Sequence, residues 1–368
     1  MTRMLNDSID KSQKILCSAL DSQPNGLDAW PNGLTSWPNG QWHQDLANAL
    51  RDPKILLNHL QLQNHDVLSE AAAKDFPFRV PWHYANLMKV GDPLDPLLRQ
   101  VLPITEEVTL AAPHYIRDPL AESQFTQHPS LIQKYQGRVL VVTTGACAVH
   151  CRYCFRRHFP YGDHRLTDHH WQNILTSLAQ DTSIHEVILS GGDPLALNTE
   201  ILADWTAELV RLPHIRRLRI HTRLPVVLPQ RVDADLLAWL AGFPLPVVMV
   251  IHCNHGQEVS PELGQATKML KRANVTLLNQ AVLLNGVNNN LTALKHLSEA
   301  LFEVGVLPYY LHALDPVLGA QHFDCTDSQA VALIQQLADT LPGYMVPKLV
   351  REIPNESRKI PLHSSRAN

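Results

Sequence analysis

The sequence predicts an α/β fold of parallel strands alternating with amphipathic helices, as in a barrel or an open sheet. Three observations carry this. Aliphatic, often β-branched runs recur in series: RVLVVTTGA (138–146), HEVILSGG (185–192), RRLRIHTR (216–223), PVVMVIHCNH (246–255), VTLLNQAVLL (275–284) and LPYYLHAL (307–314). Helical stretches separate them, among them WQNILTSLAQ, EILADWTAELVRL, ADLLAWLAG, ELGQATKMLKRAN and NLTALKHLSEALFEVG. Six strand-helix repeats imply parallel strands joined by crossovers. Thirdly, unusual polar residues follow the strand runs directly: Cys147 to Cys154, Ser190 to Asp193, His221 and Arg223, His252 and Asn254, Asn279 and Gln280, His312 and Asp315. In parallel α/β folds chemistry gathers at the strands' C-terminal ends.

Upstream of the repeats the rhythm is helical. LANALRDPKILLNHLQL and DVLSEAAAKDF are interrupted at Pro53, and FPFRVPWHYANLMKVGDPLDPLLRQVLP adds helix broken by Pro and Gly. Residues 1–105 therefore read as a helical N-terminal region and 106–345 as the core. Within the first region Pro-Asn-Gly recurs at 24, 31 and 38, with Trp30, Trp37 and Trp42 between. Pro and Gly in every copy exclude a coiled-coil heptad and favour successive turns. The repeat at 24–42 reads as a turn-rich insertion whose tryptophans cap a local surface, with partner binding as the alternative.

Composition bounds the function. The 368 residues are 45% hydrophobic and 18% charged, with a net charge of −4, and offer no basic field for nucleic acid. No run approaches a membrane span, and the N-terminus lacks the pattern of a signal peptide, so the expected location is the cytoplasm. Six cysteines in such a chain point to thiols and ligands rather than disulfides.

The strongest motif is CAVHCRYC on the loop after the first strand run. Cys147, Cys151 and Cys154 can hold three irons of a 4Fe-4S cubane, leaving the fourth iron open to a chelating ligand such as S-adenosylmethionine (SAM). The rival is a Cys3His zinc site completed by His150 or His158. Tyr153 suits aromatic packing against SAM. In SGGDP, Ser190, Gly191, Gly192 and Asp193 end a strand; the glycines allow close backbone approach, and carbonyls with Asp193 could receive a cationic amine. Alone, the motif could equally be a tight turn.

Taken together, CAVHCRYCFRRHF, EVILSGGDPL, TRLPVVLPQRV, IHCNH, NQAVLLNGVN, PYYLHALDPVLGAQHF, GYMVPKLV and RKIPL resemble the lysine 2,3-aminomutase family of radical SAM, pyridoxal phosphate (PLP) enzymes. The resemblance covers roughly residues 75 to 362 and implies a partial (β/α)6 TIM-type radical SAM barrel, with 346–368 as a C-terminal PLP-binding segment. It places the PLP lysine at Lys359, which by its own sequence context would be a solvated tail residue. The family's glycine run before that lysine is replaced by Asn355, Glu356, Ser357 and Arg358. Arg156 corresponds to the receptor of the substrate α-carboxylate, and Asp315 with Glu352 to the receptors of the ε-ammonium, Glu standing where the family has Asp. Read alone, Asp315 could be a helix N-cap. Gln280, with His252 behind it, corresponds to positions of the SAM pocket, and Lys134 and Tyr135 to positions near PLP. Arg157, His158, Arg223 and Asn254 are expected to support the site or to pack around the strand ends.

The activity so implied is a 1,2-amino shift from L-lysine to β-lysine, with a flavodoxin or ferredoxin as electron donor. FPFRVPWHYANLMKVGDPLDPLLRQVLP and the short stretch after Lys359 most resemble the branch that makes (R)-β-lysine for elongation factor P, working with a lysyl ligase. A homo-oligomer is compatible with the sequence. An aminomutase of another amino acid, a catabolic lysine aminomutase and a non-catalytic metal-binding protein are the alternatives.

Overall fold

Every aliphatic run becomes a strand in the computed structural model, which describes residues 37–63, 68–110, 112–164 and 166–363. The strands are β1 (Thr126–His128), β2 (Leu131–Tyr135), β3 (Arg138–Thr144), β4 (Glu186–Gly191), β5 (Arg217–Thr222), β6 (Val247–His252), β7 (Val275–Val282), β8 (Leu307–His312), β9 (Lys348–Arg351) and β10 (Ile360–Pro361). They form one sheet in sequence order. β3 to β9 run parallel. The hairpin β1–β2 and the short β10 add antiparallel strands at the two ends.

The α/β class is as the sequence predicts, but the parallel set has seven strands rather than six. β9 is only Lys-Leu-Val-Arg, too short to register as a periodic run, and is specified by its pairing with β8 at Leu311↔Leu349. β4 is buried at every position, as expected of a strand covered on both faces. The separating helices Asp168–Gln180, Thr199–Leu209, Ala234–Gly242, Pro261–Arg272 and Leu291–Glu303 fall where the amphipathic stretches place them. Thr167, Asp233, Ser260 and Asn290 each cap one of them through a side-chain oxygen. A further helix, Asp327–Thr340, precedes β9.

β1 and β10 are the two ends of the sheet. Side chains join the two end regions: Lys134 on β2 lies 3.5 Å from Glu352, the residue after β9. Upstream of β1 the chain is a series of short helices, with Asp52 and Ser69 as caps on Pro53–His59 and Glu70–Asp75. These helices pack on the cysteine loop. Between the second and third cysteines, Arg152 is fully buried and donates to Glu107 at 2.8 and 2.6 Å and to the carbonyls of Phe76 and Ala72.

In the last copy of the Pro-Asn-Gly repeat Pro38 and Asn39 stay exposed and Trp42 enters the core. Trp42 is 2% exposed, and the Arg231 guanidinium lies 4.5 Å from its ring. Asn39 donates to Asp235, tying the turn to the helix after β5. Positions 24–36 of the repeat lie outside the described residues. Among the described residues no helix is long and apolar enough to cross a membrane.

Candidate active site

A cavity of about 330 Å³ opens at the C-terminal ends of the strands. Ser190 and Gly191 of β4, His221 of β5, His252 of β6, Gln280 of β7 and His312 of β8 line it, with Asp315, Glu352 and Lys359 beyond the strand ends and Lys134 and Tyr135 on β2. Cys147, Cys151, Cys154 and Arg156 complete the wall. The parallel register explains the convergence: His252 on β6 pairs directly with Gln280 on β7, and His312 on β8 with Val350 on β9.

Around Lys359 the charges alternate. Its ammonium donates to Glu352, and Glu352 also faces the Lys134 ammonium. Lys134 lies 3.7 Å from Glu122, which accepts two bonds from Arg156 at 2.7 and 2.8 Å. Burial alone would raise the Glu352 carboxyl, but Lys359 and Lys134 outweigh it and hold the group down to about 2. Asp315 goes the other way: burial first, then the Glu352 charge, push it up to about 7. Tyr135 is raised by burial and by the Glu352 carboxylate. His312 is lowered to about 3 by burial and the Lys359 charge, and burial drives His221 and His252 well below the usual range, so all three imidazoles are neutral.

On the cysteine side, burial pushes the Cys154 thiol up to about 12, with the neighbouring Cys151 adding to the shift. No set of three His, Cys, Asp or Glu among the described residues is grouped for a single metal ion. Of the two candidate fourth zinc ligands, His150 bonds the Pro77 carbonyl at 2.8 Å through Nδ1 and His158 the Leu318 carbonyl at 3.1 Å through Nε2. Three thiols that each ligate a different iron of a cubane need no such common centre.

Comparison with known proteins agrees with this chemistry. Residues 135–214 match the family described as "4Fe-4S single cluster domain". L-lysine 2,3-aminomutase of Escherichia coli K12 is 45% identical over 324 residues, covering 87% of this chain and 94% of that protein. The Haemophilus influenzae protein of the same name is 46% identical over 319 residues, 86% and 94% of the two chains. That of Clostridium subterminale is 32% identical over 323 residues, 87% and 77%. The chain belongs to the L-lysine 2,3-aminomutase family.

As a member of the L-lysine 2,3-aminomutase family it is an isomerase that uses a 4Fe-4S cluster, SAM and PLP. The donors present fit these groups: three thiols for the cluster, and a primary amine with a neighbouring ammonium and phenol for a phosphorylated aldehyde. Lys359 is not the solvated tail residue of its local context; its side chain is 20% exposed and points into the cavity wall. Asn355 has φ of 67°, the left-handed conformation that glycine would otherwise supply and Asn tolerates. Asn355, Glu356, Ser357 and Arg358 are all exposed and none lines the cavity. Asp315 caps no helix in the structure; it lines the cavity.

The 190–193 turn and Tyr153 line the cavity and are also held by the protein's own groups. Gly191 and Gly192 also allow close approach to the end of β3 and the start of the cysteine loop. A Cβ on Gly191 would lie 2.7 Å from the Thr144 carbonyl oxygen, and one on Gly192 2.5 Å from that of Ala146. The Asp193 carboxylate is likewise occupied, accepting from the backbone N–H groups of Leu195, Arg223 and Leu224 and from the Thr222 hydroxyl. It braces the loop after β5. Tyr153 is also committed to the protein: its hydroxyl meets Arg223 at 2.6 Å, Asn254 at 2.7 Å and His252 at 2.8 Å, and its ring packs edge-on against Phe323.

Arg223 is the hub of this buried network. It donates to Cys151 Sγ at 2.7 Å, and Gln100, Glu258 and Tyr84 hold its other nitrogen. Arg157 is buried against Glu107 and the Gly319 carbonyl and lies outside the cavity wall. Sequence reasoning missed Glu122, Glu107, Gln100 and Glu258. Glu122 follows Ala121 in a short 3-10 turn, where no periodicity marks a functional side chain.

Proposed function

We propose that this chain is a lysine 2,3-aminomutase that converts L-lysine to (R)-β-lysine in the cytoplasm for attachment to elongation factor P. Cys147, Cys151 and Cys154 hold the cluster. SAM occupies the adjoining wall at Ser190 to Asp193, His252 and Gln280. PLP is held by Lys359, with Lys134 and Tyr135 beside it. The carrying observation is that Arg156, Asp315, Glu352 and Lys359 line the same cavity as the three cysteines. The elongation factor P branch is supported by the resemblance of residues 76–103 to that branch.

When bound, the cluster and SAM supply hydrogen-atom abstraction and PLP carries the migrating nitrogen. The protein's part is to bind and orient. Arg156 takes the α-carboxylate, for which a guanidinium is suited in shape and charge. Asp315 and Glu352 take the ε-ammonium and select a basic amino acid. In the structure the Lys359 ammonium, itself a primary amine, stands in for that group against Glu352. An arriving ammonium favours ionisation of Asp315, so the neutral acid loses its proton as the substrate seats. The neutral His221, His252 and His312 leave the cavity without competing cations at those positions.

Anaerobically reconstituted protein incubated with L-lysine, SAM, PLP and a reductant is expected to form β-lysine, with iron and sulfide at about four each per chain. Turnover of glutamate or arginine in place of lysine would overturn the substrate assignment. A flavodoxin or ferredoxin is the donor class to supply as reductant, and chiral analysis of the product reads the isomer.

A further inference from the structure

We infer that Glu122 is the positioning residue for the substrate's carboxylate: it fixes the guanidinium of Arg156 so that one edge remains for the ligand. The inference rests on the reading of Arg156 as the carboxylate receptor. Glu122 is 4% exposed and Arg156 6% exposed, so neither exchanges freely with solvent partners. The carboxylate grips the guanidinium from the side, Nε to Oε2 at 2.7 Å and Nη2 to Oε1 at 2.8 Å. That geometry uses one N–H of Nη2. Nη1 makes only long contacts, 3.3 Å each to the Ser190 hydroxyl and the Gly191 carbonyl. The Nη1/Nη2 edge is therefore the part of the guanidinium open to a second carboxylate, and a planar guanidinium accommodates two such partners on different edges.

Charge supports the same role. A buried Arg–Glu pair alone is neutral and would gain little from a further anion. Along the connected pairs Arg156, Glu122, Lys134, Glu352 and Lys359, three cations face two carboxylates, leaving one net positive charge that an α-carboxylate compensates. Glu122 thus joins the carboxylate receptor to the lysine expected beside PLP.

The test compares two ligands, L-lysine and 1,5-diaminopentane, which is lysine without its carboxylate. Binding to PLP-loaded holoenzyme is read from the absorbance of the bound cofactor, without turnover. For Glu122→Ala, lysine affinity is expected to fall about tenfold to a hundredfold, the range of a charged hydrogen-bonded contact, with diaminopentane affinity unchanged. Glu122→Gln, which preserves shape, is expected to lose less in the same direction and decides the matter if the alanine variant does not fold. Equal losses for both ligands would indicate a merely structural role. Tighter lysine binding would mean that Glu122 competes with the substrate for Arg156. Either result overturns the inference. Arg156→Met separates the two readings. If it leaves the ratio of the two affinities unchanged, the Arg156 assignment fails and this inference with it. If it collapses the ratio and neither Glu122 variant does, only the role of Glu122 is overturned.

Discussion

Lys134 Nζ lies 3.5 Å from Glu352 Oε1. The same carboxylate holds the Lys359 ammonium. One acidic group thus joins β2 to the end of β9 and draws together the two lysines expected to meet PLP. Its loss would be felt in stability as well as in chemistry.

Glu352→Gln tests this through pH. The folded-state pKa of about 2 lies below the ordinary 4.5, so the stabilisation is fully present above about pH 4.5 and is lost as pH falls toward 2. The variant should be less stable by roughly 1–3 kcal/mol at pH 7, with the difference shrinking by pH 3. Urea unfolding at the two pH values measures it. A penalty independent of pH would show that the pairings do not stabilise the fold electrostatically.

The parallel core and the cysteine loop were legible in the sequence because each has a strong local signal: six aliphatic runs and three closely spaced thiols. The rest of the site lies on elements without one. β2 carries Lys134 and Tyr135 on five residues, and β9 and β10 bracket Glu352 and Lys359 with four and two. These strands exist because their neighbours pair with them, a tertiary effect that periodicity does not encode. Glu122 was invisible for the same reason, since its meaning lies in Arg156, 34 residues away. Only the resemblance reached Lys359, whose local sequence reads as solvent-exposed. The Ser-Gly-Gly-Asp turn was legible as a motif, but not the bonds by which its glycines and acid also brace the protein's own backbone.

Asp315 should behave oppositely to Glu352. Its folded pKa of about 7 lies above the ordinary 3.8, so in the empty protein its stability deficit develops between about pH 4 and pH 7 and is complete above that. Asp315→Asn is therefore expected to stabilise the empty protein at pH 8 by roughly 1–2 kcal/mol and to change little at pH 4, while lysine turnover falls at least about a hundredfold. Thermal melts across pH and a β-lysine assay measure the two effects. A variant that loses stability at pH 8 would contradict the burial argument.

Arg152 and Glu107 form a second buried pair, both fully shielded, between the cysteine loop and the N-terminal helices. Glu107 also accepts from Arg157 at 3.0 Å, so Arg152→Met leaves the carboxylate with one of its two cations and should cost about 1–3 kcal/mol. The double variant Arg152→Met, Glu107→Leu should be less stable still, because it also takes the buried carboxylate away from Arg157. Chemical denaturation of the single and double variants gives the coupling, and iron content after reconstitution shows whether the loop's seat depends on the pair.

Gly192→Ala probes the contact between β4 and the cysteine loop. Its Cβ would lie 2.5 Å from the Ala146 carbonyl oxygen, a backbone atom that cannot swing aside as a side chain can. The loop is fixed there by two further bonds, Gly192 N to Thr144 O at 2.7 Å and Asp193 N to Ala146 O at 2.8 Å. Relief of the clash requires breaking them and displacing residue 146, next to Cys147. The expected result is a loss of about 2 kcal/mol or more together with reduced cluster loading. Gly162→Ala, where the added carbon meets nothing within 4 Å, is the matched control and should retain both. If Gly192→Ala keeps full iron content and stability, the glycine pair does not set the position of the cysteine loop.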